Sequence, residues 1–390
     1  MAQTTPEKHK RSPTIAILVS DYFPSRGGTT TQTRLHALEF AKRGWKVTVL
    51  TRRVRTRLGS ERMEGIEVRR IALPGRGQIA KALDLFLAWF WLLRRRRTLD
   101  AVSVMMDPDF AIVANAAGLK RSTVVTWVTR GDATRMLNGR IGDVRRRLLE
   151  GCGEVVLTQR MKEELSDLGV FGASIIPVPV DTSWYHPPSA VEKATAVHNL
   201  KINGGSIVLF VGHLQERKGV DLLIRAFRKV LDADLDAHLV IVGGPVETVD
   251  ARYVESLEAI VRENRLGERV VFVGPQDNAI GYLMGADIFC LPSHREGMPN
   301  VLLEAMACGI TCVAPASAGG DELLFGMAGL IPKSNSPSDL ADALIGLLLN
   351  PELRRSLGAS AADRAREEHQ VERIITSYEE LFAAGADSAG

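Results

Sequence analysis

The order of apolar and polar positions along the chain predicts short strands that alternate with helices. In the first half, β-branched apolar runs such as TIAILVS, WKVTVLT, DAVSVMM and STVVTWV are separated by stretches with helical spacing, one of them from about Thr29 to Arg43. The second half repeats the scheme with SIVLFVG, AHLVIVGG, RVVFVG and ADIFCLPS. Strands separated by helices indicate parallel βαβ units, so we predict an α/β fold with two Rossmann-like, doubly wound domains.

The chain of 390 residues is longer than a domain with a single hydrophobic core usually is, which also favours two domains. The proline-rich stretch PVPVDTSWYHPP marks the linker between them. We expect an N-terminal domain over residues 1–183, a C-terminal domain over 184–369, and a last helix over 370–390 that crosses back to the first domain. Because ligands of such sheets bind beyond the carboxyl ends of the strands, two facing domains would enclose a ligand cleft.

Composition narrows the class of protein. No segment offers eighteen uncharged apolar residues, and the polar start MAQTTPEKHKRSP has no apolar run behind it, so we expect a cytoplasmic protein. The four cysteines form no CxxC pair, which argues against structural zinc. Up to Tyr185 the chain has 31 basic against 18 acidic residues, and beyond it 18 against 28. This asymmetry indicates two units with different partners.

The stretch SHREGMPNVLLEAMACG contains two acidic residues, one of them within an apolar run. Pro and Gly at its ends predict a helix over about 299–308 that is capped by Gly309. Glu296 then lies in the preceding loop, whereas Glu304 lies inside an otherwise apolar helix. Because an unpaired buried carboxylate is costly, Glu304 needs a partner, which is either a neighbouring Arg or Lys or a ligand.

The start of this predicted helix is also a candidate anion site. The N–H groups of Gly297, Met298 and Asn300 lie near a helix N-terminus, where donors are unsatisfied and the helix dipole is positive. Pro299 contributes no N–H group. A phosphate group is the kind of ligand that such an arrangement binds.

Lys218 is expected at the same edge of the second sheet. In VGHLQERKGVDLLIRAF a strand ends at Gly212 and a helix starts after Gly219, which places the lysine beyond the carboxyl end of a strand. A cation, a helix N-terminus and two acids favour a nucleotide-diphosphate site, with the cation on phosphate and an acid on ribose hydroxyls.

The sequence resembles the GT-B-fold glycosyltransferases of family 4, which are retaining enzymes that use nucleotide-sugar donors. SHREGMPNVLLEAMACGITCVA is similar to the family's EGxPxxxxEAMAxGxPVVA signature, with Glu296 and Glu304 as its E-x(7)-E pair. GHLQERKG resembles the GRLxxxKG loop, FPSRGGTT the N-terminal Gly-Gly loop, TRGDAT the HGxD segment, and PVPVDTSWYHP the PNGVDxxxFxP hinge.

The resemblance implies a role for each matching residue. Glu304 would bind the ribose hydroxyls, Lys218 the diphosphate, and Glu296 the donor sugar, so that Glu296 and Lys218 are the expected catalytic residues. The implied donor site comprises Gly27, Gly28, His213, Lys218, Glu296, Gly297, Met298, Pro299, Asn300 and Glu304.

Five positions bear further on this assignment. Gly27 and Gly28 would let the backbone of the first domain approach the diphosphate across the cleft. His213 stands where the family usually has a phosphate-binding arginine, and it is a weaker, titratable cation. Arg130, followed by Asp132, stands where the family has a histidine facing the sugar, so we place both on the acceptor or sugar side.

We expect no cofactor and no metal, since Lys218 and the helix N–H groups can stabilise the leaving diphosphate. Retention could arise through a covalent intermediate on Glu296 or through same-face attack by the acceptor, and the second route is preferred. Asp107-Pro108-Asp109 has the DxD form of metal-dependent transferases, but that motif belongs to another transferase fold.

The function implied is transfer of a sugar from a nucleotide-diphosphate sugar to a saccharide or lipid-linked acceptor in cell-surface polysaccharide or glycolipid synthesis. Alternatives are a sugar-nucleotide epimerase and a non-catalytic protein with the same fold. Nucleic-acid binding is not expected, since no recognition module is present. Residues 79–97, IAKALDLFLAWFWLLRRRR, join aromatic side chains to four arginines. They either dock on the first sheet or lie on an anionic membrane at its inner face.

Overall fold

The structure is a computed structural model that describes residues 11–24, 27–52, 59–71, 78–202, 204–245 and 248–387. Its internal contacts divide the chain into two compact units. Met1–Ile176 with Glu372–Gly390 form the first unit, and Pro177–Val371 forms the second. These divisions fall a few residues from the predicted domain bounds. The chain thus passes once through the second unit and returns to the first for its last helix.

The first unit is built on an eight-stranded sheet within the described residues. Its strands are β1 (Thr14–Val19), β2 (Lys46–Arg52), β3 (Gly59–Met63), β4 (Ile66–Ile71), β5 (Ala101–Met105), β6 (Thr123–Trp127), β7 (Gly153–Val156) and β8 (Ser174–Ile175). Its helices, numbered in chain order, are α1 (Gly28–Lys42), α2 (Gln78–Arg95), α3 (Pro108–Ala116), α4 (Asp132–Leu137), α5 (Gly139–Leu149), α6 (Gln159–Asp167) and, from the end of the chain, α15 (Val371–Asp387).

The strands lie in the order β3-β4-β2-β1-β5-β6-β7-β8, and every neighbouring pair is parallel except β3 with β4. The predicted α/β fold is confirmed. β1 is buried from Ile15 to Val19, as expected of a parallel strand that is covered on both faces. The prediction omits the antiparallel edge strand β3, because its sequence GSERM has neither an apolar alternation nor a β-branched residue.

The last helix, α15, contributes to the core of the first unit. The centroid of the Phe382 ring lies 6.3 Å from that of Phe40 on α1, and the Tyr378 ring lies 4.9 Å from that of His36. The Tyr378 hydroxyl shares a hydrogen bond of 2.8 Å with the hydroxyl of Thr126 on β6. All five residues are buried. The core of this unit is therefore assembled from both ends of the chain.

The second unit has a five-stranded sheet in the order β11-β10-β9-β12-β13, parallel throughout its described pairs. The strands are β9 (Ser206–Val211), β10 (Ala237–Val242), β11 (Val270–Gly274), β12 (Ile288–Cys290) and β13 (Thr311–Val313). The helices are α7 (Ala190–Leu200), α8 (Val220–Asp232), α9 (Thr248–Glu263), α10 (Ile280–Gly285), α11 (Asn300–Ala307), α12 (Gly320–Leu323), α13 (Pro337–Leu349) and α14 (Pro351–Glu368). Because β9 and β12 are neighbours, the loops that follow them lie side by side at the carboxyl edge.

The α2 helix, which covers most of residues 79–97, is buried on one side only. Ala88, Trp91 and Leu92 are buried, whereas Ile79 and Phe86 are exposed. In the described part of the chain, no helix has the length and the apolarity that crossing a bilayer requires.

Candidate functional site

The helix after the EGMP stretch is α11, and its ends agree with the predicted helix to within a residue or two. Pro299 is the N-cap and Cys308 the C-cap. Gly309 follows in a left-handed conformation with φ of +69°, a geometry that favours glycine. An α-helix leaves its first N–H groups without intrahelical partners, and the N-cap residue Pro299 offers them no side-chain acceptor. The helix N-terminus is therefore suited to an anion.

Glu296 lies in the loop between β12 and α11, and its carboxylate binds two cations. Glu296 Oε1 accepts hydrogen bonds from Lys218 Nζ at 2.6 Å and from Arg217 Nη1 at 3.0 Å. The backbone N–H of Glu296 donates to the carbonyl of Ser317 at 2.9 Å, which fixes the loop. The predicted site does not include Arg217. The sequence ERKG nevertheless shows it as a second cation next to Lys218.

Lys218 is held in place by a turn that requires glycine. It ends a short 3-10 helix, Glu216–Lys218, between β9 and α8. Gly219 follows with φ of +64°, and a β-carbon there would lie 2.3 Å from the carbonyl oxygen of Pro292 in the loop after β12. Burial lowers the pKa of Lys218, while the neighbouring Glu296 carboxylate opposes this shift. A buried cation with a perturbed pKa at a sheet edge is a feature of ligand sites.

The loop that precedes α11 is packed against a second glycine turn. Gly319 has φ of +84°, and a β-carbon there would lie 2.9 Å from Cδ of Pro299 and 3.3 Å from the carbonyl oxygen of Gly297. The sulfur of Met298 accepts the backbone N–H of Val178 at 3.3 Å. These contacts hold the backbone ahead of α11 in one conformation.

Glu304 is in the opposite situation to Glu296, because no hydrogen bond or ion pair from a described residue reaches its carboxylate. Burial raises the pKa of Glu304 to about 7, although the residue keeps a partly open surface. The charge of Glu304 also raises the pKa values of Tyr185 and Cys308, which are raised mainly by their own burial. The Arg or Lys partner considered from the sequence is not found among the described residues.

His213 follows β9 and lies near the two cations. Burial lowers its pKa, and the positive charges of Lys218 and Arg217 lower it further, against an opposing effect of Asp250. A lowered pKa favours the neutral imidazole at neutral pH. This position therefore supplies no permanent cation.

The other predicted residues belong to the first unit. Gly27 is the N-cap of α1 and Gly28 its first residue, and a β-carbon on Gly27 would meet no described atom within 4 Å. Arg130 is exposed in the loop after β6. Asp132 begins α4 and pairs with Arg135 at 3.0 Å. Their proposed contacts with the donor or the acceptor stay predictions.

The DxD-like stretch at residues 107–109 is engaged by cations of the protein. Asp107 caps α3 and accepts hydrogen bonds from Ser20 Oγ at 2.9 Å and Arg52 Nη2 at 3.3 Å. Asp109 forms ion pairs with Lys81 and, at 3.2 Å, with Arg145. Across the described ranges, no group of three or more His, Cys, Asp or Glu is arranged to hold a metal ion.

Two family profiles match the chain. The profile described as glycosyl transferases group 1 matches residues 193–364, and the profile described as glycosyl transferase 4-like domain matches residues 27–181. Together the two matches cover most of the chain.

Curated relatives carry glycosyltransferase and synthase names. N-acetyl-alpha-D-glucosaminyl L-malate synthase of Bacillus anthracis is 30% identical over 45% of this chain and 45% of its own length. The D-inositol 3-phosphate glycosyltransferase of Corynebacterium jeikeium is 33% identical over 46% of this chain and 44% of its own. The chain thus spans about half the length of these relatives. The D-inositol 3-phosphate glycosyltransferase of Kineococcus radiotolerans is 29% identical over 85% of this chain and 84% of its own length.

Solved structures share the fold over nearly the whole chain. Sucrose-phosphate synthase from Thermosynechococcus elongatus matches with a TM-score of 0.78 and 22% identity, over 95% of this chain and 100% of that one. The Anabaena protein HepE in complex with UDP-glucose matches with a TM-score of 0.77 and 17% identity, over 95% and 99%. Because the two profiles and the shared architecture agree, the chain belongs to the GT-B glycosyltransferases of the family 4 type.

Proposed function

We propose that this protein transfers a sugar from a nucleotide-diphosphate sugar to an acceptor hydroxyl, with retention of the anomeric configuration. The observation that carries the proposal is the arrangement at the carboxyl edge of the second sheet. Lys218 and Glu296 meet there, and α11 offers its N-terminus and the unpartnered Glu304 carboxylate. Cations and N–H groups suit a diphosphate, and a carboxylate suits ribose hydroxyls. The complex of HepE with UDP-glucose supports a donor of this class.

The leaving group defines the main catalytic task. When the bond between the anomeric carbon and the diphosphate oxygen breaks, negative charge develops on the diphosphate. Lys218 and the N–H groups at the start of α11 would stabilise this charge, and groups that are in place before the reaction give the largest electrostatic effect. Because these groups belong to the protein, the scheme requires no metal ion.

Retention follows from attack on the face that the leaving group vacates. The acceptor oxygen forms the new bond to the anomeric carbon and gives its proton to a phosphate oxygen of the departing diphosphate. The alternative route uses a carboxylate nucleophile and a covalent intermediate. The Glu296 carboxylate pairs with Lys218 and Arg217, the cations proposed for the diphosphate, which supports a role in holding the donor beside them rather than a role as nucleophile.

A nucleotide-sugar screen tests the proposal. Calorimetry with UDP-, GDP- and ADP-sugars identifies the donor, and release of free nucleotide is then followed with and without saccharide or lipid-linked acceptors. A transferase releases nucleotide in step with acceptor glycosylation. An epimerase would interconvert nucleotide sugars without releasing nucleotide, and a non-catalytic protein would bind without turnover. Failure of every nucleotide sugar to bind would contradict the proposal.

We also propose that the first unit lies on an anionic membrane, at its cytoplasmic face, where a lipid-linked acceptor would be found. On the outer side of α2, Ile79, Phe86 and Phe90 are 86%, 55% and 43% exposed. Arginines 94–97 follow, and none of them forms an ion pair in the described part of the chain. Exposed aromatic side chains beside cations are typical of helices that lie in a membrane interface.

The α5 helix, which packs on α3 as α2 does, extends this surface. Ile141, Val144 and Leu148 are 73%, 55% and 47% exposed, and the exposed Arg140 and Arg147 lie among them. The attraction to anionic lipid is about 1 kcal/mol for each basic residue near the surface before salt screens it. Several such residues on two helices are enough for salt-dependent binding.

Co-sedimentation with vesicles tests the membrane proposal. We expect binding to phosphatidylcholine vesicles that contain phosphatidylglycerol, weakened by salt and by changing arginines 94–97 to Gln. Changing Arg225 and Arg262, which are exposed in the second unit, should leave binding intact. No binding to anionic vesicles at low salt, or binding indifferent to the α2 changes, would favour a soluble acceptor.

A further inference from the structure

Arg217 occupies a position to which the proposed function has assigned no task. Its guanidinium donates to Glu296 Oε1 at 3.0 Å, the same oxygen that accepts Lys218 Nζ at 2.6 Å. Its backbone carbonyl accepts the N–H of His294 at 2.8 Å, so the Arg217 main chain is tied to the loop that carries Glu296. The Arg217 side chain is 48% exposed, whereas those of Lys218 and Glu296 are 9% and 12% exposed. A ligand can therefore reach the guanidinium.

The group formed by Lys218, Arg217 and Glu296 has more positive than negative charges. Two cations share one carboxylate, so these three side chains together carry one net positive charge. The neighbouring His213 adds no charge at neutral pH, because burial and the two cations lower its pKa. A diphosphate carries at least two negative charges, and a single ammonium group matches only one of them.

We propose that Arg217 is a second diphosphate-binding cation of the donor site, and that Glu296 is the internal counterion that holds both cations until the donor binds. The inference rests on the proposed function, because it requires a nucleotide-diphosphate donor. The planar guanidinium presents a fork of N–H donors that matches two phosphate oxygens, which the Lys218 ammonium cannot do. Once the diphosphate binds the two cations, the Glu296 carboxylate is released and accepts hydrogen bonds from sugar hydroxyls.

This exchange of partners predicts opposite effects of two substitutions. Arg217→Gln removes a ligand of the diphosphate and weakens its binding. Glu296→Gln removes the carboxylate that competes for the two cations, so it tightens the binding of a nucleoside diphosphate that lacks the sugar, while it slows sugar transfer. A purely structural ion pair behaves differently, because losing either partner would weaken binding.

Calorimetry with UDP, GDP and ADP, each compared with its monophosphate, measures these effects. We expect Arg217→Gln to weaken binding of the preferred diphosphate about tenfold, the size of one lost charged hydrogen bond, and to affect the monophosphate less. Glu296→Gln should tighten diphosphate binding several-fold. The matched control is Arg225→Gln, because Arg225 is exposed on α8 and has no partner among the described residues. It should bind as the wild type does.

A double substitution separates a ligand role from a folding role. His213→Arg places a permanent cation beside Lys218. The double variant, with Arg217→Gln and His213→Arg, should therefore recover most of the diphosphate affinity that Arg217→Gln alone loses. Thermal melts verify that each variant folds. Wild-type diphosphate affinity in Arg217→Gln, weaker diphosphate binding in Glu296→Gln, or no restoration by His213→Arg would overturn the inference. If the wild-type protein binds no nucleoside diphosphate, the proposed function itself fails.

Discussion

Glu296 and Glu304 belong to the same short sequence signature but differ in their electrostatic surroundings. Glu296 is bound by Lys218 and Arg217, whereas Glu304 has no partner among the described residues, and its pKa is raised to about 7 by burial. A carboxyl group whose charged form is disfavoured lowers the stability of the fold. Such a cost is expected at a site where a ligand supplies the missing hydrogen bonds.

At the residue scale, we expect Glu304→Gln to stabilise the protein at pH 8 and to weaken nucleotide binding. The folded-state pKa of about 7 lies above the ordinary 4.5, so this carboxyl costs no stability below pH 4.5 and costs progressively more as the pH rises to 7. Glutamine removes that cost, which amounts to about 3 kcal/mol at most. The measurement is urea unfolding at pH 4.5 and pH 8, together with calorimetry.

The matched control is Glu255→Gln, since Glu255 is exposed on α9 in the same unit and has no described partner. It should change stability little at either pH. A stability gain for Glu304→Gln that is equal at the two pH values, or an unchanged nucleotide affinity, would contradict the assignment.

Gly27 offers a second test at this scale. Its φ of 165° is extended backbone, and a β-carbon would meet no described atom within 4 Å, so Gly27→Ala should leave the melting temperature unchanged. If the diphosphate approaches this backbone closely, the added methyl group should lower turnover at least several-fold. Gly267→Ala, at another open position, serves as the control. Normal kinetics in Gly27→Ala would remove this loop from the donor site.

At the scale of elements, α15 is joined to the end of α1 by a polar network as well as by its rings. Arg43, which follows α1, donates hydrogen bonds to Glu379 at 2.7 Å, Thr376 at 2.9 Å and Glu39 at 2.9 Å. Trp45 Nε1 also donates to Glu379, at 2.7 Å. One arginine therefore connects two helices that lie more than three hundred residues apart in the sequence.

We expect Arg43→Ala to destabilise the first unit by roughly 1–3 kcal/mol, because the partly buried Glu39 and Glu379 carboxylates each lose one of their donors. Urea unfolding followed by circular dichroism measures the change. The control is Arg147→Ala, since Arg147 is exposed on α5 and has no described partner. Equal stability of the two variants would show that the network contributes nothing.

At the scale of the whole molecule, the two units differ in how the chain builds them. Residues 177–371 form the second unit without interruption, so we expect this fragment to fold alone and to bind nucleoside diphosphates. A fragment that ends at residue 176 lacks α15, which exposes Phe40, and it should not unfold cooperatively. Adding a peptide of residues 372–390 should restore cooperativity. Thermal melts and calorimetry check both statements, and a cooperative transition in the 1–176 fragment alone would contradict the second.

Turnover of the intact protein should survive a chelator. Lys218, Arg217 and the start of α11 already provide the positive charge that the leaving diphosphate needs. The measurement is initial rate with and without EDTA. Complete loss of activity that magnesium or manganese restores would instead point to Asp107 and Asp109 as metal ligands.

The sequence by itself determined the elements and the candidate chemistry within each of them. Apolar runs, a proline at the start and a glycine at the end are local signals, so the strands β1, β2, β5 and β6 and the ends of α11 could be predicted from them. The spacing of Glu296 and Glu304 within one short segment is local in the same way. These features depend on neighbours within a turn or two of the chain.

Only the tertiary structure decided which of these groups contact one another. The sharing of Glu296 by Arg217 and Lys218 and the packing of α15 on α1 join segments that are far apart along the chain. Hydrophobic periodicity reports which side of an element is buried, but it does not report which element covers that side. Such contacts are set by the order of strands in the sheet and by glycine turns such as Gly219, and these exist only once the chain has folded.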